Sequence, residues 1–158
     1  MTESPIKIIP ADVPDAEKIL TLQKTAYLME AEIYGQYDIP PLTQTLADLV
    51  STFQDEFFLK AVIGERVVGS VRARRTGDTC HIGRLIVHPS YQRLGIGSDL
   101  MAEIEARFAE AKRYEIFVGE KSAGNLKLFK GLGYSEFKRI PLDSNFTLVF
   151  LEKISERK

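Results

Sequence analysis

One short segment of the sequence has the residue types and spacing for anion binding. Gln92-Arg93-Leu94-Gly95-Ile96-Gly97-Ser98 follows the apolar run Leu85-Ile86-Val87 and precedes a stretch with helical periodicity. The first amides of a helix have no internal partners, and the helix dipole places about half a positive charge there. Glycine removes the Cβ and permits conformations in which successive amides converge. A pyrophosphate suits such a turn. The competing reading is a helix start that uses two glycines for tight packing. The dinucleotide-binding fingerprint needs a third glycine where this chain has Leu100, and a P-loop needs a Gly-Lys-Ser/Thr triplet that the sequence lacks.

Other side chains are placed to move a proton. Glu30 falls on the apolar face of a helical stretch, three residues after Tyr27 and seven after Gln23. An unpaired buried charge is costly. A carboxylate there either meets an internal base such as Arg84 or Arg72, or binds and deprotonates an amine. Histidine is the side chain whose unperturbed charge change lies near neutrality, so His81 is the second candidate base; otherwise it is a partly exposed strand residue. Tyr27, Tyr34 and Tyr37 either pack or line a pocket. Cys80, the single cysteine, reads as a small buried apolar residue. One cysteine permits no internal disulfide, which favours a reducing compartment.

A chain of 158 residues fits one domain, residues 1–158, with a core large enough to fold without disulfides or metal. Hydrophobic residues at 44% and charged residues at 27% are ordinary for a globular protein. A formal net charge of -1 argues against a nucleic-acid partner, which demands a basic surface. Met1-Thr2-Glu3-Ser4-Pro5 lacks the basic and apolar regions of a signal peptide, and no apolar run nears the ~18 residues of a membrane helix. The expected location is cytoplasmic, with no membrane partner.

The elements that must hold these residues can be read in order. A strand at 6–9 ends at Pro10. Pro14 opens a helix, with Asp12 or Asp15 near its start, that runs to about Ile33. Residues 35–42 break it, with Pro40-Pro41 as an extended joint. Thr45 followed by Asp48 caps a helix over 46–53. Strands at 57–63 and 66–74 form a hairpin across Gly64-Glu65. A turn at Thr76-Gly77-Asp78 leads into a strand over 79–88, stopped by Pro89. Leu100, Met101, Ile104, Phe108 and Ala111 mark a helix from about Gly97. A strand at 115–119, a helix at 125–132 closed by Gly133, and strands at 134–139 and 146–152 complete the order. This is an α/β (α+β) domain with a mixed, mainly antiparallel sheet and helices on its faces.

The residues from Leu85 to Gly97 resemble the acetyl-CoA-binding motif of the GNAT acetyltransferase superfamily, Gln/Arg-x-x-Gly-x-Gly/Ala, down to the preceding apolar strand and the proline that ends it. Lys121-Ser122-Ala123-Gly124-Asn125-Leu126-Lys127-Leu128-Phe129 and Gly131-Leu132-Gly133-Tyr134 are similar to the family's second cofactor helix and the Gly-Tyr/Phe after it. The resemblance covers residues 57–152 well and the earlier part by helix order. It implies that strands 4 and 5 splay apart and that the pantetheine arm pairs with the main chain of Leu85, Ile86 and Val87. The pyrophosphate would rest on amides of Gln92, Arg93, Leu94, Gly95, Ile96 and Gly97, with the Ser98 hydroxyl. The Arg93 guanidinium either reaches a phosphate or stays solvated. Asn125 either bonds the cofactor or serves as an N-cap, and Phe129 belongs to the same cofactor helix. Lys127 and Lys130 are solvated helix charges or meet the 3′-phosphate.

The resemblance further implies direct acetyl transfer from acetyl-CoA to a primary amine, on a small molecule or a peptide, with no metal ion. Its acceptor pocket would draw on Tyr27, Glu30, Tyr34 and Arg84, and members are often homodimers. Such a reaction needs a base for the amine and amide donors for the carbonyl oxygen, here from about Val87. Many members also place a tyrosine as acid four residues before the glycine of Gly-Tyr/Phe. Counting back from Gly133 gives Phe129, which has no proton to donate. Either the thiolate leaves unprotonated, another tyrosine substitutes, or the chain is a non-catalytic acyl-CoA-binding or regulatory module. Members often carry a carboxylate on the fourth strand as well. Cys80-His81-Ile82-Gly83-Arg84-Leu85 has none, which leaves Glu30 and His81 as the candidate catalytic residues.

Overall fold

The computed structural model describes residues 5–155. Its strands are β1 (Ile6–Pro10), β2 (Phe57–Ile63), β3 (Arg66–Thr76), β4 (Thr79–Val87), β5 (Arg113–Gly119), β6 (Ser135–Pro141) and β7 (Thr147–Ile154). They form one sheet in the order β1-β2-β3-β4-β5-β7-β6, antiparallel throughout except for β4 against β5. The helices are α1 (Ala16–Tyr34), α2 (Pro40–Thr43), α3 (Leu46–Thr52), α4 (Ile96–Arg107) and α5 (Ala123–Gly131). The mixed, mainly antiparallel α/β architecture expected from the sequence is the one observed.

Two local expectations need correction. Pro40-Pro41 is not an extended joint but the start of a helical turn. Proline is at ease there, because the first helical positions have no intrahelical use for an N–H. The helix expected to open at Asn125 begins two residues earlier, at Ala123. Other signals hold: the Thr45 hydroxyl accepts from the Asp48 amide at 3.1 Å, capping α3.

Strand alternation divides the core between the two faces. In β2, Leu59 and Ala61 join α4 residues Ile96, Leu100, Met101 and Ile104 in the larger cluster. Phe58, one residue out of phase, packs with Ile19, Leu20 and Leu49 of α1 and α3 on the opposite face. β3 is buried from Val68 to Ala73, as a central strand covered on both sides must be. That run includes Arg72, only 5% exposed. Its Nη1 donates to the side-chain oxygen of Gln23 at 3.3 Å, and its Nε lies 3.8 Å from a Glu56 oxygen. Gln23 is fully buried and donates to Pro41 O and to Gln44 Oε1, both at 2.9 Å. Every polar group of that amide is used, which is the condition for burying it.

The end of α5 explains Phe129. The Gly133 amide donates to Lys130 O at 3.1 Å and the Tyr134 amide to Phe129 O at 3.0 Å, with Gly133 at φ +99°. This is a Schellman closure, which is commonly sealed by an apolar contact between its two ends. Here Phe129 and Tyr134 supply it, with ring centroids 6.0 Å apart. Phe129 is fully buried in the larger cluster. Phe129→Ala is therefore expected to cost about 3–5 kcal/mol in chemical denaturation. A loss below about 1 kcal/mol would show that the α5 end is not anchored through this ring.

Candidate active site

A cleft opens where two neighbouring strands separate. β4 and β5 pair only over Thr79, Cys80 and His81, opposite Arg113, Tyr114 and Glu115. Beyond that point Ile116–Gly119 stay with β7, while β4 follows β3. A bulge accompanies the parting: Arg72 opposes Gly83 but Ser70 opposes Ile86, so Val71 alone faces both Arg84 and Leu85. The bulge puts Arg84 at φ +49°. A side chain in that left-handed region costs roughly 1–2 kcal/mol. Past the bulge, the edge of Leu85-Ile86-Val87 that is turned from β3 borders the cleft.

At the far end of β4 the chain makes the glycine-containing turn from Gln92 to Ser98. Arg93 at φ +66° and Gly95 at φ +82° take left-handed conformations on either side of Leu94, and α4 begins at Ile96. Alternating handedness of this kind turns successive amides to one side. The first helical bond of α4 runs from Asp99 N to Gly95 O at 3.0 Å. The amides of Ile96, Gly97 and Ser98 therefore have no partner within the helix. The two glycines serve different needs. A Cβ on Gly95 would meet nothing within 4 Å, so only its backbone angle calls for glycine. A Cβ on Gly97 would lie 3.3 Å from Leu128 Cδ2, so there the demand is close approach between α4 and α5.

The cleft encloses about 740 Å³ and is lined by Leu85, Ile86 and Val87, by Gln92, Arg93, Gly95, Ile96, Gly97 and Ser98, and by Asn125. Of the sequence-derived acceptor residues, Tyr27 and Glu30 also line it. Glu30 is half-buried and accepts from the Ser122 hydroxyl. Burial raises its carboxyl above the ordinary range, and the Ser122 bond offsets only part of that. Burial likewise pushes the Tyr27 hydroxyl up; the Glu30 charge adds to this, and the Arg84 and Arg72 charges oppose it. Asn125 is the third residue of α5 rather than its cap, and its Nδ2 lies 3.4 Å from Ser122 Oγ.

Several expected residues are not brought to the cleft. Phe129 points into the core, and Leu94 leaves its side chain 57% exposed outside the lining. Tyr34 is a structural peg: fully buried, stacked on Phe146 at 4.2 Å, its hydroxyl accepting from the Lys121 amide at 2.8 Å. A Cβ on Gly119 would collide with that hydroxyl, so glycine makes room for it. His81 sits where β4 and β5 still pair, its Nδ1 3.5 Å from a Glu115 oxygen, about 13 Å along the strand from Leu85. Arg84 stands behind Tyr27 rather than in the lining. Cys80 is fully buried, and burial pushes its thiol up to about 12, assisted by the Glu105 charge, which disfavours the reactive thiolate.

Sequence reasoning missed Ser122, Tyr91 and Leu128. Ser122 stands at the N-cap of α5 without making a side-chain cap bond, and its hydroxyl donates to Glu30 instead. Tyr91 lines the cleft beside the turn, and Arg66 donates to its hydroxyl at 3.1 Å. Leu128 is half-buried between α4 and the cleft, and only helical phase could have marked it. Among the described residues no group of three or more His, Cys, Asp or Glu is placed to hold a metal ion, and no helix is long and apolar enough to cross a membrane.

Comparison with known proteins agrees with this geometry. The N-acetyltransferase PaiA of Thermoplasma acidophilum, solved in complex with coenzyme A, superposes with a TM-score of 0.79 at 16% identity, covering 96% of this chain and 99% of that one. YncA of Salmonella typhimurium, solved with its cofactor acetyl-CoA, gives a TM-score of 0.75 at 18% identity, covering 96% and 95%. At such identities the likeness is one of fold. The Bacillus subtilis protein YqkA is 25% identical over 143 residues, which are 90% of this chain and 41% of that protein. The chain thus spans less than half the length of this relative. The family model described as Acetyltransferase (GNAT) family matches residues 17–134, from α1 through the bulged strand and the glycine-containing turn to the close of α5, and the chain belongs to that family.

Proposed function

We propose that this protein transfers the acetyl group of acetyl-CoA directly to a primary amine. The observation that carries the reading is a single cleft lined by the free edge of β4, the open amides of α4 and the raised carboxyl of Glu30. The pyrophosphate fits the turn from Gln92 to Ser98, where Ile96, Gly97 and Ser98 offer unpaired amides. The pantetheine arm fits along Leu85-Ile86-Val87 as an added strand partner. That leaves the thioester near Val87, whose amide is placed to donate to the carbonyl oxygen.

Glu30 serves as the base. An incoming ammonium loses one proton to its carboxylate, the neutral nitrogen forms the new N–C bond, the C–S bond breaks, and the nitrogen releases its second proton to water as the amide forms. The raised carboxyl is a stronger base than an exposed one. His81, beside Glu115 on the paired end of β4, is the alternative base, reaching the amine only through intervening water. With Phe129 in the core, the thiolate departs as such or takes a proton from Tyr27, the tyrosine that lines the cleft beside Glu30. The same placement of Phe129 favours a second reading, a non-catalytic acyl-CoA-binding module. Thiol release in a mixture of acetyl-CoA and a panel of amines decides between them: binding without release for any amine supports the module.

Two substitutions test the roles. Gly97→Gln fills the cleft between Leu128 and Val87, and coenzyme A affinity by calorimetry is expected to fall at least about a hundredfold. Affinity within about threefold of wild type would mean that the pyrophosphate lies elsewhere. For the base, kcat/KM is expected to fall as pH drops through the Glu30 pKa, with that acid limb above the ordinary carboxylate range. Glu30→Gln should lower kcat by about 10²–10⁴ and remove the limb. An unchanged limb, with His81→Ala abolishing it instead, would transfer the role to His81.

A further inference from the structure

On the α1 side, one charge in the cleft wall, Glu30, and one next to that wall, Arg84, are left by the fold without counterions. Arg84 makes no ion pair among the described residues, and its Nε is buried with no hydrogen-bond partner. The nearby carboxylate, Glu56, is taken by Arg72. Arg72 and Arg84 are close enough that the Arg84 charge, after burial, helps lower the Arg72 pKa to about 10, which still leaves Arg72 protonated at neutral pH. Glu30, whose charge also acts on the Tyr27 hydroxyl, bonds Ser122 and pairs with no cation. Opposite charges held a few residues apart, each bonded to a neutral group and not to the other, are uneconomical for folding alone.

The backbone adds a second observation. Arg84 occupies the left-handed position of the bulge, where glycine or asparagine would be unstrained. Its long side chain crosses to Tyr27, a residue of the cleft wall. A guanidinium held there has two parallel donors for a carboxylate.

We propose that the acceptor is a small zwitterion, an amine and a carboxylate on a short carbon frame as in a free α-amino acid, with its amine at Glu30 and its carboxylate at Arg84. The proposal rests on the acetyl-transfer reading given above. Both charges act on the Tyr27 hydroxyl, which keeps them within the reach of one small molecule. A simple amine or a polyamine would leave Arg84 unpaired. A peptide would carry its carboxylate too far from its amine to meet both.

The test uses the intact protein, acetyl-CoA and thiol release. Free α-amino acids are compared with their α-amides and with the corresponding decarboxylated amines. For the best side chain, kcat/KM of the free acid is expected to exceed that of the amide at least about tenfold, the value of one charge-assisted pair. The amide has the less basic amine, so proton availability alone would favour the opposite order. Arg84→Gln should reduce the acid-to-amide ratio by about tenfold, and Arg84→Lys should retain part of the preference. Circular dichroism checks that each variant is folded, and the wild-type ratio is decisive without any variant. Amides or simple amines used as well as acids would overturn the proposal while leaving acetyl transfer intact. Equal loss of both activities in Arg84→Gln would remove Arg84 from carboxylate recognition. No thiol release with any amine would overturn acetyl transfer and this proposal together.

Discussion

The structure depends on what happens to backbone hydrogen bonds when two central strands part. A strand inside a sheet has donors and acceptors on both edges, and burying them without partners is costly. β4 and β5 share only three residue pairs at one end, and β4 then has a neighbour on one edge only. The free edge is tolerated because it faces an open cleft bounded by α4 and α5 rather than packed core. The same parting aims the end of β4 at the start of α4. Strand edge and helix amides thereby lie along one path, which a long phosphorylated thioester can follow.

The two sides of the sheet handle polarity differently. Beneath α4 the core is almost wholly apolar, and its tyrosine hydroxyls bond at the margin, Tyr114 to Phe108 O at 2.9 Å and Tyr134 to a Glu105 carboxylate oxygen at 2.8 Å. Beneath α1, Gln23 and Arg72 are buried within the domain and tie α1 and α2 to β3. Saturated, that network is structural. Arg84 and Glu30 extend it toward the cleft, and they are the members without charge partners. Departures from good folding practice concentrate where chemistry is expected. Here those are a left-handed arginine, a half-buried carboxylate and a strand edge left open.

The fold was largely legible in the sequence because its elements carry local signals. Pro89 and Gly95 bracket the glycine-containing turn, Thr45 caps α3, and Gly133 closes α5. The part of the cleft formed by β4 and the start of α4 was legible for the same reason, since it is mostly main chain and glycine. The rest depends on contacts between distant residues. Nothing local shows that Ser122 turns away from its own helix toward Glu30, ninety-two positions earlier. Tyr34 and Tyr27 belong to one helix and have the same chemistry, yet one is a peg under Gly119 and the other a wall of the cleft. Phe129 was expected on the cofactor side because its helix lies there, but helical phase and the Gly133 closure turn it into the core.

The bulge in β4 also divides the strand into two reading frames. Ahead of it the even-numbered Cys80 and Ile82 belong to the α4-side core; after it the odd-numbered Leu85 and Val87 pack there. A strand slipped by one residue turns every side chain to the other face. Deleting Arg84 would merge the frames into one regular alternation, with Cys80, Ile82, Leu85 and Val87 all still on the α4 side and the bulge gone. In any alignment with a relative that lacks the extra residue, the gap belongs at Arg84. Positions 79–83 are then matched by counting forward from the Gly77 turn, and positions 85–97 by counting back from α4. A single count through both would assign the wrong face to whichever half it reached second.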